Sequence, residues 1–142
     1  ALQETAAAIQ NRILSVMESL EEILDGAVED RVLEILETIR QQQQDHFDAV
    51  IAQLRSLAGS DAGVESDDEQ EEFDSPEALM TTLADRFDAL TRMYAAIVPA
   101  TLDGASRQLL MNIASVASRH AALVNFFADR DPLPGAFEEP EL

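Results

Sequence analysis

Apolar residues recur at three- and four-residue steps in four stretches of this chain, and no stretch shows the two-residue alternation of a half-buried strand. That period confines the chain to helices that must bury one face against each other. The first stretch runs from about Glu4 to Asp25 and lines up Ile9, Ile13, Val16, Met17, Leu20 and Leu24, with Gly26 suited to stop it. The second runs from about Glu29 to Leu57. It aligns Val32, Ile35, Leu36, Ile39, His46, Val50, Leu54 and Leu57, and places Glu29 and Asp30 at the positive end of its dipole. The third is expected over residues 76–98. Asp74 or Ser75 caps it, Pro76 opens it, Glu77 sits in its first turn and Pro99 ends it. Its stripe is Leu79, Leu83, Phe87, Leu90, Tyr94 and Ile97. The fourth, over residues 104–127, follows Asp103 and aligns Leu109, Ile113, Val116, His120, Leu123, Val124 and Phe127.

The connections differ in kind. Residues 58–75 are polar and acidic with no periodic apolar run, and a link this long in a small helical domain is a crossover or a disordered loop. Residues 128–142 carry three prolines and a glycine and read as an extended tail, with Leu133 and Phe137 available to dock on the helices. The expectation is therefore one all-α domain over residues 1–142, a four-helix bundle with a long crossover between helices two and three.

Charge narrows the function. There are 28 acidic and 9 basic residues, a formal net charge of -19, and every basic residue is arginine. Such a chain repels phosphate backbones and anionic lipid, which excludes nucleic-acid binding through a basic face. Disorder is the usual companion of acidity, but a hydrophobic fraction of 46% in helical register argues for a fold. Abundant carboxylates without lysine suit a halophile's protein. At molar salt the Debye length is about 3 Å and carboxylate repulsion is screened.

The chain has no cysteine, so disulfides and thiolate chemistry are absent. It has no apolar run of about 18 residues to insert in a membrane. No basic segment followed by an apolar one opens it, so a cytoplasmic location is expected, unless an export signal has been removed.

Only two histidines occur, His46 and His120, and both fall on apolar stripes. A buried imidazole needs a hydrogen-bond partner or a metal. Other signals are structural. The acidic run Glu65 to Asp74 lacks the spacing and glycine of a calcium loop, Gln41 to Gln44 lie within a helix, and Met17, Met80, Met93 and Met111 read as core fillers.

Several segments carry a resemblance. They are FDSPEA before helix three, the alanine-rich stretch after Tyr94, SVASRHAAL in helix four, DPLPGAFEEP in the tail and EILETIRQQQQDHFDAVIAQLRSLAG in helix two. Together they resemble the ferritin-like domain proteins of the desiccation-related type. The likeness covers most of the chain, weakly in helix one and well from Phe73 onward.

The resemblance implies a ferritin-like bundle and a di-iron site. Carboxylates come from helices one and three, and a Glu-x-x-His from each of helices two and four. Glu21 is the helix-one candidate, with Glu18 pointing further outward. In helix two Gln43 stands where the acid belongs, followed by His46. In helix three the position falls near Phe87, and Asp85 and Asp88 sit about 200° and 100° away around the helix. In helix four Ala117 replaces the acid before His120.

Metal-ligand candidates are thus Glu21, His46 and His120, with Gln43, Phe87 and Ala117 at family ligand positions that have lost their acids. Gln43 can still hydrogen-bond His46. Two metal ions bring about four positive charges or more into a low-dielectric core, and one carboxylate cannot balance them.

The expected function is a non-catalytic ferritin-like bundle, a structural or protein-interaction module with no cofactor, whose partner is a second copy or another protein. The alternative is a metalloprotein holding iron, with oxidase or redox activity, or a single zinc on Glu21, His46 and His120. A stress or desiccation role follows from the resemblance alone.

Overall fold

A computed structural model describes residues 2–24, 29–58, 73 and 75–132. Four helices account for nearly all of them: α1 (Leu2–Leu24), α2 (Asp30–Ala58), α3 (Pro76–Ala100) and α4 (Gly104–Phe127). No strand occurs among the described residues. Gly26, the acidic run apart from Phe73, the side chains of Leu54 and Leu57, and the tail residues Leu133 and Phe137 lie outside them.

The helix ends follow local chemistry. Ser75 caps α3, its Oγ accepting from the Ala78 N–H at 3.1 Å, with Pro76 and Glu77 in the first turn. Asp103 caps α4, accepting from the Ser106 N–H at 2.9 Å and the Ser106 hydroxyl at 2.7 Å. Pro99 does not end α3, which continues to Ala100. A proline this close to the C-terminus removes only one N–H, and the Thr101 N–H closes the final turn on the Val98 carbonyl at 3.2 Å. Arg107 then holds the Thr101 carbonyl through Nε at 2.9 Å and Nη2 at 2.7 Å, bracing the turn into α4.

α4 stops in a Schellman arrangement. Asp129 takes a positive φ of 63°, and the Arg130 N–H reaches back to the Asn125 carbonyl at 2.8 Å. The Arg130 guanidinium crosses to α3, meeting Asp85 at 2.5 Å and Asp88 at 3.2 Å.

α1 packs on α2 and α3, and α4 packs on α3 and more thinly on α2. The cyclic order is therefore α1, α2, α4, α3. Gln10 meets Tyr94 while Arg12 meets Arg86, so α1 and α3 are antiparallel. Gln43 meets His120 while Gln53 meets Ser106, so α2 and α4 are antiparallel too. With α3 and α4 joined by a short turn, α2 and α3 must run the same way. The end of α2 and the start of α3 therefore lie at opposite ends of the bundle, as the crossover expectation requires.

The apolar stripes meet at the centre. All six residues anticipated for α3 are buried, as are Ile13, Val16, Met17, Leu20 and Leu24 of α1. Met17 and Met80 are buried and Met93 packs against the core, but Met111 is 49% exposed and fills nothing. On α4 Leu110 turns inward instead, and Leu123 faces the edge.

Candidate functional site

The two histidines come from helices that meet along the α2–α4 seam. Their ring centroids lie 6.1 Å apart with planes 18° from parallel. His120 is buried and His46 half-buried. Phe87 of α3, fully buried, presents its ring edgewise to His120 at 6.1 Å and 85°.

Both nitrogens of His120 are engaged by neighbouring glutamines of α2. Gln43, fully buried, donates its amide N–H to Nδ1 at 2.8 Å. On the other edge Nε2 donates to the Gln42 Oε1 at 2.6 Å. This network assigns the neutral tautomer with its proton on Nε2. Burial pushes the imidazole down to about 4, and the nearby His46 and Arg119 push in the same direction. His46 is also lowered, mainly by burial and against the opposing charge of Asp45.

Gln43 was expected to serve His46 and serves His120 instead. Its side chain leaves α2 toward α4, at the level where the His120 ring lies. Two buried atoms beside the rings, Gln43 Oε1 and His46 Nδ1, have no hydrogen-bond partner among the described residues.

The remaining family positions contribute no ligand oxygen at the rings. Ala117 is fully buried one turn before His120. Glu21 turns to Arg40, with Oε1 3.5 Å from Nε, and Arg40 also meets Glu37 at 3.6 Å. Glu18 is exposed. Asp88 accepts from the Asn125 amide at 2.8 Å and shares Arg130 with Asp85. Among the described residues no group of three or more His, Cys, Asp or Glu is placed to hold a metal ion.

Two polar features escaped the sequence reading. Gln42 carried no role of its own in the run Gln41 to Gln44, and only the ring's position singles it out. Gln10 and Tyr94 form a second fully buried pair, the amide donating to the phenol oxygen at 2.6 Å. Burial raises the Tyr94 phenol well above its ordinary value, although the Gln10 bond works the other way. Gln10 lies one turn before Ile13 on the α1 stripe, and that placement was the available signal.

Beside the rings, a cleft of about 270 Å³ opens between α2 and α4, walled by Ile35, Ile39 and Leu123 with Gln42 and His120 on its polar side.

No curated protein and no solved structure matches the chain. A family model described as a ferritin-like domain matches residues 4–129, which takes in all but the first residues of α1 and the whole of α2, α3 and α4. Four helices in the order α1, α2, α4, α3 and a match across nearly the whole chain place it: the chain belongs to the ferritin-like domain family.

Proposed function

We propose that this chain is a metal-free member of its family, a non-catalytic bundle that serves as a structural or protein-interaction module. The observation that carries this reading is the occupancy of His120. Gln43 and Gln42 engage its two nitrogens, so an ion could coordinate there only by displacing an amide. The donor chemistry points the same way. Gln43, Phe87 and Ala117 supply no carboxylate, and Glu21 is paired with Arg40. These residues do not fit the two-metal centre that the family implies.

The interaction half of the reading directs attention to α4. Phe126 at 67%, Met111 at 49% and Leu123 at 40% exposure lie within about a third of a turn on its outer side. The composition, with its net charge of -19, supports high salt as the working environment.

The test is metal content and oxidation. Protein prepared without chelator and offered ferrous iron should retain far less than one iron per chain and show no ferroxidase absorbance change. Near-stoichiometric iron with an oxidation signal overturns the reading. A second reading, a single metal on the facing rings, is favoured by the His46 and His120 stack and the unpartnered His46 Nδ1. It predicts that His46→Ala and His120→Ala each abolish zinc or iron binding.

A further inference from the structure

The α2–α4 seam is built differently from the other three. Among the described residues, α1 with α2, α1 with α3, and α3 with α4 pack closely, whereas α2 and α4 approach each other at few places. Side-chain hydrogen bonds cross between them. Gln42 and Gln43 grip the two edges of His120, and further along Gln53 donates to the Ser106 hydroxyl at 2.8 Å. The His46 and His120 stack lies beside this grip.

The geometry points to a latch: Gln42 and Gln43 hold α2 against α4 through the His120 ring, and this seam is where the bundle opens locally while its other three seams stay closed.

Neighbouring residues on a helix lie about 100° apart, so Gln43 approaches the ring from the core and Gln42 from the solvent side. Their surroundings make them unequal. Gln42 is exposed, and water can take its place on Nε2 at little cost. Gln43 is fully buried, and its bond to Nδ1 is lost only when the seam parts. Release therefore begins at Gln42 and is limited by Gln43. α4 stays fixed meanwhile, because Phe87, Leu90 and Ile113 bury their side chains in the core and Arg130 pins its end to Asp85 and Asp88. The element that moves is α2, carried on α1, and the cleft walled by Ile35, Ile39 and Leu123 is what widens. A wide helix spacing and a hydrogen bond reachable by solvent, that of Gln42, are features of a low-energy local opening.

Native-state hydrogen exchange resolved by helix tests this on the whole chain, with chelator present. The inference concerns the metal-free protein and stands whichever way the iron assay falls. In the parent, amides in the middle of α2 should exchange through an opening of lower free energy than the global unfolding that limits the slowest amides of α1 and α3, and in Gln43→Ala that α2 opening should become about tenfold easier, the scale of one lost buried hydrogen bond. Gln42→Ala, at an exposed position, should fold normally and give a smaller rise in the same segment. Phe87→Ala is the control, since loss of a shared core side chain should speed all four helices together through global unfolding. If the mid-α2 amides of the parent exchange only by global unfolding, together with the slowest amides of α1 and α3, or if neither Gln42→Ala nor Gln43→Ala speeds them, the latch is overturned. A Gln43→Ala chain that fails to fold leaves Gln42→Ala to decide, and no α2-selective rise there overturns it.

Discussion

His46 and His120 face each other across the α2–α4 seam with ring planes 18° from parallel, and no carboxylate among the described residues joins them to form a metal cluster. Two imidazoles stacked this way favour each other's neutral form. The same arrangement has consequences for acid stability, for the glutamines that serve the rings and for what the sequence could reveal.

Acid should weaken the fold through these rings. His120 is lowered to about 4 and His46 is lowered as well, against 6.5 in an unfolded chain. Below pH 6.5 the unfolded state binds protons that the folded state refuses. The stabilisation is full above pH 6.5 and is lost as pH falls toward and through about 4. For His120 it is on the order of 2 kcal/mol, allowing for solvent in the adjacent cleft. Urea unfolding at pH 7.5 and pH 5 should show a smaller acid loss in His46→Gln/His120→Gln than in the parent. Equal losses would assign the whole effect to carboxylates.

Removing one partner of the buried clasp should cost more than removing both. Gln43→Leu leaves Nδ1 of His120 buried and unpaired and should destabilise by about 1–3 kcal/mol. Adding His120→Leu removes the orphaned acceptor and should recover most of that loss. Chemical denaturation of the single and double variants reads the difference. A double variant no more stable than Gln43→Leu alone would contradict this account.

Much of the architecture was legible because helical periodicity is a statement about burial. The stripe from Leu79 to Ile97 and the caps at Ser75 and Asp103 are where the spacing and the side-chain chemistry put them. Pro99 misled only by two residues: a proline in the last turn forfeits its own bond to the carbonyl four residues earlier but does not stop the next residue from keeping helical dihedrals. The candidate site was half legible. His46 and His120 could be paired from their stripes, but the partner of His120 depends on the rotation and level of α2 against α4, a tertiary quantity. Likewise nothing local to Glu21 announces Arg40, nineteen residues further on across a helical hairpin.

Asp129 offers a gain in stability. Its φ of 63° lies in the left-handed region, where a side chain other than glycine is strained and asparagine or aspartate is merely tolerated. Asp129→Gly keeps the Schellman bonds and should raise stability by about 0.5–1 kcal/mol. A calorimetric Tm equal to or below that of the parent would show that the aspartate contributes something its backbone does not reveal.

Salt should stabilise this protein. With a net charge of -19 the folded surface repels itself, and screening shortens that repulsion. Tm should climb as NaCl or KCl is raised from low to molar concentration. A flat profile would mean the carboxylates are spread widely enough not to interact.

The helix order divides the chain into two hairpins. α1 with α2 and α3 with α4 join neighbours in sequence, whereas the α1–α3 and α2–α4 seams join residues such as Gln10 with Tyr94 and Gln43 with His120. Loop-closure entropy favours the local pairs first, so each hairpin should form early and the clasp at His120 should close late. Since a single connection between Ala58 and Ser75 joins the halves, severing it would turn folding into association. Two separately produced hairpins would then find each other through the closely packed α1–α3 seam and be proofread by the glutamine–histidine clasp.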